Sequence, residues 1–300
     1  MADRKRIIKL LKGKIKGRIR QGVKIGPLTS FGIGGPARYL IDVYDLKSLL
    51  TVLRVLKEQK IKVFLLGQGT NILVSDRGFN GAVIRLKGSF TKIEHRGNLL
   101  IAGAGARLID VVKTAHHAGL SGLEFAIGIP GSVGGALKMN AGAFGESIGP
   151  CVKKLWAVDG NLMHKCYSKR ELKFAYRSSN IGKNTIITRA VLKLKPAART
   201  EICAREEYLQ KYRWAHQPRG KSAGSIFKNP KTISAGRLIE ECGLKGKRIG
   251  DAVISEKHAN FIINCGKARA RDVKRLIQLI KDRVYKLKKV KLTEEVILLD

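Results

Sequence analysis

Three segments of the chain repeat apolar residues at the spacing of an amphipathic α-helix. One begins after Asp45, which is placed to cap it, and carries five leucines on one face. A second starts at Leu108 and ends at Gly119, a predicted C-cap. The longest covers Asp272–Leu287. Each pattern predicts a helix that packs one face against a core.

The N-terminal segment shows a similar pattern among basic residues. Ile7, Leu11, Ile15 and Ile19 share one helical face. We therefore predict a basic helix within residues 1–22, although its two glycines weaken it. Further helices are predicted at Glu201–Trp214 and after a cap at Ser234.

Short apolar runs separate these helices and predict strands. The predicted strands are Arg38–Val43, Lys62–Leu66, Ile72–Ser75, Ala82–Leu86, Thr91–Glu94, Leu99–Ala102, Val152–Val158, Thr185–Leu194, Ala252–Ser255, Phe261–Asn264 and Glu294–Leu299.

A glycine-dense stretch, Leu123–Gly149, fits neither pattern. A helix interior loses about 1 kcal/mol at each glycine relative to alanine, and a surface loop would not need the apolar residues between the glycines. The stretch indicates a sharply turning backbone that a large ligand can approach closely. Tight turns in a β-rich domain are an equally good interpretation from spacing alone.

A second glycine-rich segment, Gly67–Asn71, joins two predicted strands. Consecutive backbone N–H groups at such a junction form a site for anionic oxygens. No helix follows the glycines, so the segment is not the dinucleotide fingerprint of a Rossmann fold.

Composition limits the function classes. The chain has 59 Lys and Arg against 23 Asp and Glu, a formal net charge of +36. Such a charge favours anionic partners, but the excess is spread over the whole chain, and we find no zinc finger or interleaved aromatic residues. We therefore expect no nucleic-acid partner, and a general basic bias is the preferred explanation.

Other features indicate a cytoplasmic protein without metal. No apolar run approaches the length that crosses a bilayer, and the N-terminus lacks a secretory signal. The five cysteines are widely spaced, which is typical of reduced thiols. The six histidines form no ligand cluster, so no metal site is predicted.

Taken together, several ordered motifs resemble the family of UDP-N-acetylenolpyruvoylglucosamine reductases. The resemblance runs from Leu28 to Leu298. Its motifs are Thr29-Ser30-Phe31 with Gly34-Gly35-Pro36-Ala37, Gly67-Gln68-Gly69-Thr70-Asn71, Ile129-Pro130-Gly131-Ser132-Val133-Gly134-Gly135, Asn140-Ala141-Gly142-Ala143-Phe144-Gly145, Tyr176-Arg177, Gly224–Pro230, Ser255–Phe261 and Glu295-Val296. Arg177 and Ser225 are 48 positions apart, which resembles the shorter form without an inserted tyrosine-bearing loop.

The resemblance implies an α+β fold. A two-part FAD-binding module of the vanillyl-alcohol-oxidase (PCMH) type, residues 23–197 divided near 88, is followed by an α/β substrate-binding domain, residues 198–300. The last strand, 294–300, is expected to return towards the flavin site. Leu28 and Gly32 depart from residues common in the family.

The family's chemistry implies roles for individual residues. FAD is expected to contact Gly67, Gln68, Gly69, Thr70, Asn71, Ile129, Pro130, Gly131, Ser132, Gly134, Gly135, Asn140, Ala141 and Gly142. Arg177 matches the cation that stabilises negative charge on the substrate, Ser225 the proton donor and Glu295 the carboxylate that acts with the arginine. Weaker candidates for substrate and nicotinamide contacts are Tyr176, Arg213, Gln217, Asn229 and Lys257.

The resulting expectation is an NADPH-consuming flavoenzyme that reduces UDP-N-acetylglucosamine enolpyruvate for peptidoglycan synthesis, as a monomer. One alternative is another FAD-dependent oxidase or dehydrogenase of the same fold, and a further one is a basic nucleic-acid-binding protein. Glu294 is the neighbour most easily mistaken for Glu295. Trp156 and Trp214 are interpreted as packing residues.

Overall fold

The computed structural model describes residues 2–300, with side chains from Arg6 onward within the first helix. Its α-helices are α1 Ala2–Leu11, α2 Leu46–Glu58, α3 Leu108–His117, α4 Val133–Lys138, α5 Arg199–His216, α6 Ala235–Glu241 and α7 Ala270–Lys288. Its strands are β1 Gly17–Lys24, β2 Pro36–Val43, β3 Val63–Leu65, β4 Ile72–Val74, β5 Phe79–Leu86, β6 Ile93–Arg96, β7 Leu99–Gly103, β8 Leu120–Ser121, β9 Gly142–Ala143, β10 Glu146–Ser147, β11 Val152–Val158, β12 His164–Ser168, β13 Phe174–Ala175, β14 Ser178–Ser179, β15 Ile186–Lys193, β16 Lys195–Pro196, β17 Arg248–Ile249, β18 Ala252–Ile254, β19 Ile262–Asn264 and β20 Ile297–Leu299.

The chain divides into two compact units. Unit 1 contains Met1–Gln21, Tyr39–Gly67 and Gly81–Tyr212, and unit 2 contains Gly22–Arg38, Gln68–Asn80 and Arg213–Asp300. The domain limits expected from the sequence, near residues 22, 88 and 197, stay predictions.

Unit 1 contains a five-stranded antiparallel sheet with the order β12-β11-β15-β7-β6. Alternate residues of β7 and β15, such as Ala102 and Ala190, are fully or almost fully buried beneath α3 and α4. A second sheet has the order β1-β2-β5-β3, with β3 parallel to β5. The α2 helix packs Leu49, Val52 and Leu56 into the same core, and Asp45 caps it as predicted.

A buried carboxylate binds two arginines in unit 1. Asp42 is 5% exposed and accepts hydrogen bonds from Arg85 Nε at 2.6 Å and Nη2 at 2.8 Å. Arg20 Nη2 donates to the same carboxylate at 3.0 Å. Burial opposes ionisation, but the hydrogen bond and charge of Arg85, with the charge of Arg20, hold the pKa of Asp42 below its ordinary value.

The prediction of a basic helix within residues 1–22 is wrong beyond Leu11. Gly13 adopts φ +74°, a left-handed conformation that ends the helix, and residues 17–24 form strand β1 instead. Gly17 lies so close to the backbone of Asp42 that a Cβ atom would come within 2.0 Å of its carbonyl oxygen. Ile7 and Leu11 are buried as the pattern predicted.

Unit 2 has its own core. The β17-β18-β19 sheet packs with α6 and α7, and β20 pairs in parallel with β4. The side chain of Asp76 accepts hydrogen bonds from the backbone N–H groups of Ala270 and Arg271 at 2.8 and 3.1 Å. The carboxylate thereby satisfies the first turn of α7 and favours its positive end.

Most of the predicted elements are confirmed, with small differences at their ends, and three details are corrected. The glycine-dense stretch does contain a helix, the short α4, in spite of Gly134 and Gly135. Residues 88–91, assigned in part to a strand, form a 3-10 turn. Trp214 is 56% exposed and is not a core residue. Among residues 2–300, no helix is both long and apolar enough to cross a membrane.

Candidate functional site

Within unit 2, residues 68–71 of the glycine-rich loop are anchored to the first sequence motif. Gly69 adopts φ +66°, and a Cβ atom there would lie 2.4 Å from the carbonyl oxygen of Leu28. The carbonyl of Gly69 accepts a hydrogen bond from the backbone N–H of Ser30 at 3.0 Å. The contact with Leu28 uses only its backbone, so its departure from the family's usual residue leaves the contact intact.

Several N–H groups of this loop are available to a ligand. Among the described residues, none accepts a hydrogen bond from the backbone N–H groups of Gly67, Gln68, Gly69 or Asn71. Adjacent N–H groups of this kind suit the oxygens of a phosphate or pyrophosphate. The loop therefore has the donor set that a dinucleotide cofactor requires.

Ser132 links the second glycine motif to Gly67 in unit 1. Its Oγ accepts a hydrogen bond from Gly135 N at 3.3 Å and caps α4. A Cβ atom on Gly67 would lie 2.4 Å from that Oγ. The two glycine motifs are thus in contact, and only glycine at position 67 allows it.

The remaining residues of this motif hold α4 against the sheet. Gly134 lies against Ala104, and its N–H donates to the Ala104 carbonyl at 2.9 Å. The carbonyl of Gly131 accepts from Leu108 N at 2.8 Å, and Ile129 N donates to Ala126. The amides at the start of α4 are therefore used within the protein. The loop at Gly67 offers the free donors instead.

Arg177 lies at the turn between β13 and β14, and three hydrogen bonds fix this hairpin to the glycine-dense stretch. Arg177 Nη1 donates to the Gly142 carbonyl at 2.8 Å. Asn140 Nδ2 donates to the carbonyl of Ala175 at 2.9 Å, and Ser179 Oγ donates to the carbonyl of Lys138 at 2.8 Å. The hairpin is therefore held on both sides of the turn, and Gly142 binds the guanidinium itself.

The backbone of Arg177 is itself unusual. Its φ is +50°, in the left-handed region that costs a residue with a Cβ about 1–2 kcal/mol. Such strain persists where the surrounding contacts require it, and it is concentrated at functional sites. The hairpin contacts supply that constraint here.

Helix α5 supports the neighbouring β9–β10 hairpin. Arg205 forms a salt bridge with Glu146, and the ring of Tyr212 meets that of Phe144 edge-on at 5.5 Å between centroids. Because β9 contains Gly142, these contacts stabilise the carbonyl that Arg177 binds.

In unit 2, the segments that carry Ser225 and Glu295 pair through their backbones. The N–H of Glu295 donates to the carbonyl of Ile226 at 2.8 Å, one residue beyond Ser225. Asn71 Nδ2 donates to the Glu295 carbonyl at 3.1 Å, and Ile297 N donates to the Asn71 carbonyl. The backbone of Glu295 is therefore bound to the end of the Gly67–Asn71 loop, and Ser225 precedes its other partner, Ile226.

The neighbouring carboxylate, that of Glu294, is engaged in a salt bridge. Glu294 forms a salt bridge with Lys281 Nζ at 2.8 Å. Burial opposes its ionisation, but the hydrogen bond from Lys281 gives Glu294 a lowered pKa. Adjacent residues of an extended segment point to opposite sides. Glu294 therefore faces α7, which leaves Glu295 as the candidate.

The five weaker candidates are scattered over both units. Tyr176 is 54% exposed, with the Arg177 guanidinium 5.3 Å from its ring centroid. Asn229 Oδ1 accepts from Ala235 N at 3.1 Å, so this side chain supports the start of α6. Lys257 Nζ donates to the Trp214 carbonyl at 2.7 Å. Arg213 and Gln217 are both half-buried near the end of α5.

Sequence analysis did not identify Lys138, which supports the segment after the Arg177 hairpin. Lys138 Nζ donates to the Ile181 carbonyl at 2.9 Å and to that of Gly182. It joins the end of α4 to the segment after the Arg177 hairpin, and burial lowers its pKa. No local pattern identified it, because its partners are backbone carbonyls more than 40 positions away.

Known protein families match both the N-terminal and the C-terminal part of the chain. Residues 37–161 match the family model of an FAD binding domain, and residues 216–299 match that of the UDP-N-acetylenolpyruvoylglucosamine reductase C-terminal domain. UDP-N-acetylenolpyruvoylglucosamine reductase 2 of Symbiobacterium thermophilum is 43% identical over 284 residues, which cover 93% of this chain and 92% of that protein.

Solved structures agree with these matches. The crystal structure of the UDP-N-acetylenolpyruvylglucosamine reductase of Thermus caldophilus superposes with a TM-score of 0.84 and 39% identity, covering 95% of this chain and all of that one. The glucose dehydrogenase Phl p 4.0202 shares the fold alone, with a TM-score of 0.50, 12% identity and coverage of 96% and 60%. The predicted fold class, an FAD-binding module followed by a substrate-binding domain, is confirmed.

Proposed function

Because the chain belongs to the family of UDP-N-acetylenolpyruvoylglucosamine reductases, we propose that Arg177, Ser225 and Glu295 carry out its substrate chemistry. The chain is an FAD-dependent oxidoreductase that reduces UDP-N-acetylglucosamine enolpyruvate to UDP-N-acetylmuramate in peptidoglycan synthesis.

The residues of the glycine motifs fit FAD. Gly67, Gln68, Gly69 and Asn71 offer N–H donors for its pyrophosphate, and Thr70 lies in the same loop. Ile129–Gly135 and Asn140–Gly142 would hold the rest of the cofactor. When bound, FAD supplies a hydride to the methylene carbon of the substrate, and we propose NADPH as its source.

Arg177 provides the fixed positive charge. Addition of hydride to the methylene carbon leaves negative charge on the carbon that bears the carboxylate. A guanidinium held by Gly142 can stabilise that charge without reorganising during the reaction. Glu295 acts with the arginine in orienting the substrate carboxylate.

Ser225 donates the proton that completes the reduction. A hydroxyl is a weak acid, but the carbanion-like carbon is a far stronger base, so the transfer is downhill. The observation that carries this proposal is the contact between the two strand segments of unit 2. The hydrogen bond from Glu295 N to the Ile226 carbonyl joins the backbones of these segments, which supports a shared role for the two candidates.

We propose Tyr176, Arg213, Gln217, Asn229 and Lys257 as contacts of the UDP-sugar or the nicotinamide. We also propose that the enzyme is a cytoplasmic monomer. Light scattering of the purified protein measures its molar mass, and the mass of a dimer would contradict the proposed monomer.

The Ser225→Ala variant tests the proton-donor role. NADPH should still bleach the flavin at the wild-type rate, since that half-reaction needs no serine. Turnover of the enolpyruvyl substrate should fall about a hundredfold or more. Stopped-flow absorbance separates the two half-reactions.

Ser222→Ala is the matched control. Ser222 lies three positions earlier, and among the described residues its hydroxyl makes no hydrogen bond. This variant should turn over normally. Normal turnover by Ser225→Ala would show that another group donates the proton.

A further inference from the structure

The five-stranded sheet of unit 1 has a second face that α3 and α4 do not cover. Ala102 and Ala190 point towards the helices, while Ile101 and Val191 alternate to the other side. A groove of about 590 Å³ lies on this face. Its lining does not include the Ile129–Gly135 motif, so it is distinct from the cofactor loops.

The 3-10 turn at residues 88–91 contributes Ser89 and Phe90 to the lining of the groove. The turn lies across β7 because Gly103 has no side chain, and a Cβ atom there would come within 2.0 Å of the Phe90 carbonyl oxygen. The Gly105 N–H donates to that carbonyl at 2.9 Å. The turn is therefore held against β7 beside the groove.

The lining is strongly basic. It contains Lys92, Arg96, Lys153, Lys154 and Arg189. Glu94 is its carboxylate, and that group already lies 3.6 Å from Arg96. Within residues 6–300, no carboxylate forms a salt bridge with Lys154 or Arg189. Their charge is thus available to an anionic ligand.

The indole ring of Trp156 contacts both of these cations, Arg189 and Lys154. It lies opposite Arg189 on the neighbouring strand, and the guanidinium carbon is 4.1 Å from its ring centroid. Lys154 Nζ is 4.9 Å from the same ring. Thr188 Oγ1 donates to the Trp156 carbonyl at 3.1 Å. An indole, a planar guanidinium and an ammonium are thereby held within one cluster.

We propose that this groove binds a nucleotide, with its phosphates on Arg189 and Lys154 and its base on the Trp156–Arg189 cluster. Arginine suits phosphate because its planar donors bind two oxygens at once, and flat rings stack on indole and guanidinium groups. The volume lies within the range of small-molecule sites, about 300–1,000 Å³. This volume favours one nucleotide over a nucleic-acid strand.

The test uses the FAD-loaded enzyme with a Trp214→Phe substitution, so that Trp156 is the sole tryptophan. ADP is titrated while tryptophan fluorescence is measured. We expect saturable quenching. Arg189→Gln and Lys154→Gln should each weaken ADP binding about tenfold, as loss of a charge-assisted hydrogen bond predicts.

Lys193→Gln is the matched control, because Lys193 is an exposed cation of the same strand that does not line the groove. It should bind ADP within about twofold of the parent enzyme. Turnover at saturating substrate should be the same in all three variants.

Three results would overturn the proposal. Unchanged ADP affinity in both groove variants would place any binding at another nucleotide site of the enzyme. Pyrophosphate that binds as tightly as ADP would exclude a role for the base. Tighter binding of single-stranded DNA, lost in the same variants, would identify a nucleic-acid surface.

Discussion

Replacing Gly67 with alanine would place a methyl group against the hydroxyl that caps α4. The new Cβ atom would lie 2.4 Å from Ser132 Oγ and 3.3 Å from Ser132 Cβ. The hydroxyl can rotate away, but it then loses its hydrogen bond to Gly135 N. The substitution thus acts on one motif through a residue of the other.

The size of the effect follows from the cap. Loss of a serine N-cap costs about 1 kcal/mol. We expect Gly67→Ala to lower the free energy of unfolding by about 1–2 kcal/mol, and Ser132→Ala by about 1 kcal/mol. Because both changes remove the same hydrogen bond, the double variant should cost about 1 kcal/mol less than their sum.

The assay has two readouts. Urea unfolding gives the free energies for the double-mutant cycle. Flavin absorbance per protein, measured after dialysis, reports whether the loop still holds FAD, and we expect about fivefold weaker retention in Gly67→Ala.

Gly160→Ala is the control. Its Cβ atom would make an ordinary contact, 3.7 Å from Asn184 Cβ, so the change should stay within about 0.5 kcal/mol. Strictly additive losses in the Gly67 and Ser132 variants would refute the proposed contact between the motifs.

The remaining predictions concern buried and capping carboxylates. Asp42→Asn should lower stability by about 3 kcal/mol, because Arg85 loses its charged partner. Folding lowers the pKa of Asp42, so its contribution to stability is present above about pH 4 and is lost as acid protonates the carboxylate. Urea unfolding across pH 3–6 should therefore show that the free energy of unfolding falls less with acid in the variant than in the parent enzyme. An equal fall would contradict this. Asp76→Asn should cost about 1–2 kcal/mol and speed hydrogen exchange at the Ala270 amide, whereas Asp282→Asn, on the exposed side of α7, should change neither.

Local pattern was sufficient for the regular elements. Asp45, a five-leucine stripe and the turn after it specify α2 because capping and burial of one face act within a few residues. The pattern failed at residues 12–20. There the pairing of β1 in a sheet and the left-handed turn at Gly13 outweighed helical spacing.

The motifs likewise identified the candidate residues, but they did not show which tertiary contacts those residues make. Family resemblance singled out Gly67 and Ser132 independently, and only the folded chain puts them in contact. The left-handed backbone of Arg177 and the support from Lys138 arise from hydrogen bonds to carbonyls far along the chain.

Side-chain type and short-range spacing were enough to predict most helices and strands, the family and the candidate chemistry. Tertiary structure alone decided that Lys281 engages the carboxylate of Glu294, while Asn71 binds the backbone carbonyl of Glu295. It also decided that Trp156 and Arg189 share an open groove. Such contacts join residues that are distant in the chain, and their energies exist only once the strands that carry them have paired.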